Sequence, residues 1–299
     1  MPSGSPISVP TRRVRIGAAS MSRLASDRSP LLPSGRPTMR TIFAAFLFLW
    51  ASIATARADD ESHRFSLSYD VQLTGIPVMS LDVQALLAPD RYALRTYLFT
   101  YGVLDWLFRF RNESATDGVI AGERVRPARY TTMGIWRGSA RSADLTYRDG
   151  GALDVDIRPE IKDDDRDPVP EALRLNTIDP LSAIVLTNLT SRRDSPCPGI
   201  APVFDGRRRY NVKLELVGPE VLEAGSGGIA VGSAIKCLLS VEPIAGYQKS
   251  RPQQKRPPSE LWFQRMLDDT VWVPVLIQGD SFFGGFTATL RAFATRRDI

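Results

Sequence analysis

The stretch RFSLSYDVQLTGIPVMSLDVQALL, residues 64–87, decides the fold. Its first half puts Phe65, Leu67, Tyr69, Val71 and Leu73 on one face of an extended chain. Ser66, Ser68, Asp70 and Gln72 fall on the other. Successive side chains of a strand point to opposite faces, so a period of two predicts a half-buried antiparallel strand. Gly75 and Pro77 supply a turn, and Met79, Leu81, Val83, Ala85 and Leu87 resume the alternation in a second strand.

The same pattern spreads outward. Tyr92, Leu94, Thr96 and Leu98 follow the Pro89-Asp90 break as a third strand. Residues 101–111, YGVLDWLFRFR, interrupt it and read as a short helix or an amphipathic loop. Alternation returns at 129–132, and in ADLTYRDGGALDVDI (143–157) the Asp149-Gly150-Gly151 turn joins a hairpin. Residues 158–180 carry a run of acids and several prolines, the composition of a solvated linker. The linker ends on Asp179 as a helix N-cap and Pro180 at the first helical position, predicting a largely apolar helix over 181–189. Further strands are expected near Val203 and over 209–216, 234–241, 261–266, 271–277 and 286–293. The fold expected is mainly β: a single curved antiparallel sheet of about ten strands, a half-barrel, wrapped around one short central helix.

The first 58 residues belong to a different class. Residues 1–38 are rich in Ser, Pro and Arg with no hydrophobic period, so they bury too little apolar surface to offset ordering entropy. Met39 and Arg40 then head an apolar run over 42–53, and Ala56-Arg57-Ala58 has the small-x-small pattern of a signal peptidase site. The run falls short of the ~20 residues that span a bilayer. The reading is a signal peptide at 39–58 cut between Ala58 and Asp59, a mis-annotated or disordered extension at 1–38, and one β domain at 59–299. That chain is exported to the periplasm and keeps no transmembrane anchor. No Cys follows the apolar run, which argues against a lipoprotein signal.

Removal of this segment reverses the charge. The whole chain carries +5, but residues 1–58 contain eight Arg and one acid, leaving 30 of the 38 basic and 32 of the 33 acidic residues. Residues 59–299 are therefore at −2 and lack the basic footprint of a nucleic-acid binder. The two cysteines, Cys197 and Cys237, lie downstream of the export signal and read as a disulfide in an oxidising compartment.

Little of the sequence carries chemistry. His63, the single histidine, stands at the frayed start of the domain, so Ser-His-Asp, Cys-His and His-based metal sites are not expected. GSGG (225–228) lacks the Lys-Ser/Thr of a phosphate loop, and the acids at 163–165 and 167 lack calcium-loop spacing. No catalytic residue, metal ligand or cofactor is assigned. Lys236, beside Cys237, reads as an edge or outward residue. Trp106, Phe108, Phe110 and Trp136 are the aromatic candidates for lining a ligand pocket, with core packing as the alternative. FDGRRRY (204–210) opens with an Asp-Gly turn. In the strand expected after it, Arg207 and Arg209 point one way and Arg208 and Tyr210 the other. Three arginines that never share a face make a poor phosphate grip. One turned inward can pair with a buried carboxylate such as Asp205.

Several of these segments together resemble a known family. TIDPLSAIVLTNL (177–189), the first cysteine, VFDGRRRYNVKLELVG (203–218) and the second cysteine before EPIAGY (242–247) resemble the proteobacterial envelope family called domain of unknown function 3108 (DUF3108). DDDRDPVP (163–170) and VWVPVLIQGDSFFGGFTATL (271–290) resemble it too. The resemblance marks Asp179, Pro180, Asp205, Gly206, Arg207, Arg208, Arg209 and Tyr210 as motif positions. It implies an exported antiparallel half-barrel, similar to outer-membrane lipoprotein carriers, with no established activity. Three functions are weighed. The first is non-enzymatic binding or carriage of a lipid or other apolar envelope molecule on the concave face. The second is an envelope adaptor that contacts a protein partner or anionic lipid through the basic segment 248–260, with Lys249, Arg251, Lys255 and Arg256. The third is a carbohydrate-active enzyme built on paired carboxylates.

Overall fold

The computed structural model describes residues 62–295, except 108, 137, 161–165, 190–194, 198, 225–227, 251–255, 268 and 282–283. The opening stretch forms two strands, β1 (His63–Leu73) and β2 (Ile76–Leu87), closed more tightly than Gly75 and Pro77 suggest. Thr74 and Gly75 alone make the turn, both at positive φ (48° and 84°), the conformation a two-residue hairpin demands. Pro77 already lies inside β2 at a register shift, where its missing N–H is tolerated.

Eleven more strands follow: β3 (Arg91–Thr100), β4 (Arg111–Ala121), β5 (Arg124–Trp136), β6 (Ser139–Tyr147), β7 (Leu153–Arg158), β8 (Gly199–Phe204), β9 (Arg209–Leu222), β10 (Gly232–Ala245), β11 (Ser259–Met266), β12 (Val271–Ser281) and β13 (Gly284–Thr295). The count is thirteen, not about ten. The strand most at odds with the sequence reading is β4, RNESATDGVIA, which has no apolar alternation. Its inward residues are Ser114, Thr116 and Gly118, all buried, because this is where the central helix presses against the sheet.

All thirteen strands form one open antiparallel sheet in the order β7-β6-β5-β4-β3-β2-β1-β13-β12-β11-β10-β9-β8. Every neighbouring pair is a sequential hairpin except β1 with β13, which brings Phe65 opposite Thr295. Among the described residues, three short α-helices, α1 (Gly102–Leu107), α2 (Glu171–Arg174) and α3 (Pro180–Leu189), and a 3-10 turn at Asp149–Gly151 accompany the sheet. The linker thus contains the single turn of α2, and 101–111 resolves into α1 plus the start of β4.

α3 fills the concave side of the sheet. Leu181, Val185 and Leu189 join Tyr92, Leu94, Tyr130, Leu145 and Phe204 in one buried cluster. The helix touches β4, β5, β8 and β12, and Asn188 Nδ2 donates to the Trp272 carbonyl while its Oδ1 accepts the Trp272 N–H. A second cluster gathers Phe65, Leu67, Tyr69, Trp262, Val273 and Leu290. The third surrounds the disulfide joining Cys197 to Cys237, whose Cα atoms are 6.1 Å apart.

The two edge strands, β7 and β8, do not pair with each other. The turn at Asp205–Gly206 stands between them instead. A Cβ on Gly206 would lie 2.8 Å from the Ala143 methyl, and Arg207 Nη2 donates to the Pro159 carbonyl just beyond β7. Ile178 adds a parallel bridge to Val203 of β8. Gln248 bridges to Arg166, and Lys249 pairs with Asp167 at 2.8 Å.

Candidate functional site

A groove of about 900 Å³ lies on the face turned away from α3. Strand register builds it. Leu94 points into the core, so Arg95 beside it points outward. One cross-strand row on that outward face runs Ala294, Ser66, Gln84, Arg95, Ala115, Thr131. The next runs Arg64, Leu86, Ala93, Asp117, Arg129. Small side chains at Ser66, Ala93, Ala115 and Ala294 lower the floor, and longer ones at Arg64, Gln84, Leu86, Arg95 and Arg129 raise the rim.

The rim guanidiniums are committed to different degrees. Arg129 is held by Asp144 through Nε at 3.1 Å and Nη2 at 2.5 Å, and this pairing holds its guanidinium above its ordinary pKa. Arg95 reaches Glu113 only at 3.8 Å and remains mostly exposed. Arg64 makes no ion pair or side-chain hydrogen bond among the described residues. The one lining carboxylate is Asp117.

The motif residues build a different place, the interior around the start of α3. Asp179 is fully buried. Its Oδ1 accepts the N–H groups of Leu181 and Ser182, both at 2.9 Å. Its Oδ2 accepts the Thr116 hydroxyl at 3.0 Å and a short bond from the Ser182 hydroxyl. Tyr92 continues the network with a 2.7 Å hydrogen bond between its hydroxyl and that of Ser182. Burial pushes the Asp179 carboxyl above the usual carboxylate range, opposed by these four donated bonds. Burial likewise raises Tyr130 to about 12 and Tyr92 and Tyr147 well above ordinary phenols. Fully buried and bonded to the first N–H groups of α3, this carboxylate caps and anchors the helix.

FDGRRRY organises the seam. Asp205 Oδ1 accepts the N–H groups of Arg207 and Arg208, and Oδ2 pairs with the Arg208 guanidinium at 2.7 Å. Burial acts to lower Arg208, but the Asp205 charge and hydrogen bond, together with Tyr210 and Tyr247, outweigh it and hold the guanidinium above its ordinary value. The pairing with Asp205 is therefore present, but the Arg208 side chain is about half exposed and not turned inward. The strand begins at Arg209, however, so Arg207 and Arg208 belong to the turn and do not alternate along a strand. Arg209 bonds the Tyr210 carbonyl and Asn211 on its own strand.

Neither of the described aromatic candidates, Trp106 and Phe110, lines the groove. Trp106 sits on α1, 85% exposed, and Phe110 is half-buried beside Thr100. Phe108 and the side chain of Trp136 lie outside the described residues. Lys236 is largely buried between Glu220 and Glu260, 4.7 Å over the Trp262 ring, rather than free at an edge. Among the described residues no group of acids, histidine and cysteines has the arrangement of a metal site. No helix among them is long and apolar enough to cross a membrane.

Sequence reasoning missed the groove. Its signal was the recurrence of small residues on the outward face of neighbouring strands, and that is legible only once register is known.

Comparison with known proteins agrees on the family. No curated protein matches the chain. Among solved structures, the crystal structure of a beta-barrel-like protein of domain of unknown function DUF1849 from Brucella abortus is similar, at 9% identity and a TM-score of 0.45. The likeness covers 79% of this chain and 99% of that one. The family model described as "Protein of unknown function (DUF3108)" matches residues 64–291, from β1 into β13, and the chain belongs to that family.

Proposed function

We propose that this protein is a non-enzymatic binding protein of the cell envelope that holds a lipid or another partly apolar envelope molecule in the outward groove. The observation that carries this reading is the groove itself. Its volume of about 900 Å³ lies in the range of small-molecule sites, and it spans neighbouring strands of one sheet. The concave face, the first choice from sequence, is occupied by α3 and its buried side chains, so the site moves to the opposite face. The export signal at 39–58, with cleavage between Ala58 and Asp59 and translation starting at Met39, belongs to this proposal. The disulfide supports a periplasmic setting.

The groove lining favours binding over glycoside hydrolysis, which needs two carboxylates flanking the bond, whereas Asp117 is alone there. The adaptor reading has no specific observation in its favour: Lys249 of its contact segment forms a solvent-exposed ion pair with Asp167. Arg256 is exposed, and Arg251 and Lys255 lie outside the described residues.

The test is native mass spectrometry of protein exported to the periplasm and purified without detergent, alongside an Ala115→Trp variant that fills the groove floor. An added mass in the range of a fatty acid or phospholipid, lost in the variant, is the expected result. A clean mass in both, unchanged after incubation with envelope lipids, would sink the binding reading.

A further inference from the structure

β12 and β13 pair only from Leu276 opposite Thr289 to Ser281 opposite Gly284. Past Thr289 the two strands part. A bulge at Val275, between the Trp262–Leu276 and Phe263–Pro274 pairs, bends β12, which runs back to Val271 while β13 runs on to Thr295. Each keeps its other neighbour, β11 beside β12 and β1 beside β13. The parting therefore gives the sheet two further backbone edges besides those of β7 and β8.

An open strand edge carries unpaired N–H and C=O groups, and folded proteins guard it. All but one of these edges are guarded. β7 places Asp154, Asp156 and Arg158 at its exposed positions. On β8, Ile178 stands in for a strand: its N–H donates to the Pro202 carbonyl and its carbonyl accepts the Phe204 N–H. On the parted stretch of β12, the Asn188 amide meets both the N–H and the carbonyl of Trp272, and the Tyr69 hydroxyl donates to the Pro274 carbonyl. On β13 the Ile229 N–H donates to the Leu290 carbonyl. From Arg291 to Thr295 no backbone group among the described residues bonds the edge turned away from β1. Arg291, the one charged side chain there, lies 3.3 Å from Asp70. Ala292 and Ala294, exposed and small, leave the backbone open to close approach.

We propose that the free edge of β13, Arg291–Thr295, docks an extended segment of another polypeptide, which joins the sheet as an added strand. The backbone selects the partner. Donors and acceptors repeated at strand spacing are matched by a second extended backbone, and not by a sugar or an acyl chain. The side chains set the pattern of the partner. Phe293 is half-buried against the core, its ring 6.0 Å from that of Phe65. An incoming strand is therefore apolar at the alternate positions on that face, while Ala292 and Ala294 leave room for larger residues on the other. A single segment needs only its own width beside β13. A second copy of this chain would have to bring the edge of a folded sheet into the parting with β12. The docking edge stands independently of what the groove holds.

The test is selection of a phage-displayed library of random short peptides on the purified protein, followed by hydrogen exchange with a synthetic form of an enriched peptide. The peptide is expected to slow exchange at residues 291–295 by about tenfold or more. Two further forms, N-methylated at alternate residues in opposite phase, probe the ladder without altering the protein. In a strand only every second N–H faces a given neighbour, so one form should lose binding and the other keep it. No enriched peptide, protection confined to other segments, or binding indifferent to the phase of methylation would overturn the docking edge. A dimer in sedimentation whose 291–295 amides are protected without peptide would overturn the foreign strand in favour of self-pairing.

Discussion

Asp179 shows how one side chain organises the interior. Its carboxylate satisfies two backbone N–H groups at the start of α3 and two hydroxyls, from Thr116 and Ser182, with no cation in contact. Burial raises its folded pKa above the unfolded value near 3.9. The native state then binds the proton more tightly than the unfolded chain. The stability this provides is complete below about pH 4 and is lost as pH rises through the folded pKa. Asp179→Asn keeps both N–H acceptors and removes the ionisation. Thermal midpoints across pH 3–8 should show a flatter profile in this variant than in the wild type. Asp179→Ala uncaps the Leu181 and Ser182 N–H groups and takes an acceptor from the Thr116 and Ser182 hydroxyls, and should cost about 3 kcal/mol at low pH and less as pH rises through the folded pKa, read by urea denaturation. The sequence disclosed the cap, because Asp before Pro at a helix start is a local signal. It did not disclose Thr116 and Ser114 as the residues that receive the helix, since a buried hydroxyl on a strand looks the same in sequence as an exposed one.

Elements were legible where one face is apolar and the other is wet. β1, β2 and β3 announce themselves by alternation, and α3 by its cap and its apolar run. β4 did not, because its inward face is built of Ser, Thr and Gly to admit α3. The seam turn was recognised as a turn, but its role is tertiary. Gly206 has φ +94° and meets Ala143 of a strand more than sixty residues earlier in the chain, a contact with no local signature. Gly75 offers the control, with φ +84° and nothing within 4 Å of a built Cβ. Gly75→Ala should therefore cost about 1 kcal/mol, the backbone penalty alone. Gly206→Ala should cost about 2–3 kcal/mol, since it adds a clash in packed surroundings. Equal losses in chemical denaturation would show that the seam is not tightly packed. The groove was illegible for a related reason. Ala93 and Ala115 read as ordinary solvated positions until β3 and β4 are set side by side.

At the scale of the whole molecule, twelve strand pairings hold the sheet, and eleven join strands adjacent in sequence. Folding to this arrangement therefore needs only one pairing of distant strands, β1 with β13, and the entropy of closing that long loop falls on a single event. The strand order is that of a ring read from a different starting point. Because β1 lies against β13, the two described ends of the chain are neighbours, and the physical break in the sheet falls in mid-sequence between β7 and β8. A circular permutant that links residue 295 to residue 62 and begins between residues 160 and 166 would place the chain's ends at the sheet's own opening. There the contacts of Arg207 with Pro159 and of Arg166 with Gly246 hold both flanks without a covalent link. Such a protein should run its thirteen strands in spatial order from one edge to the other, with no distant pairing left to find. It should refold faster than the parent in stopped-flow experiments at comparable stability.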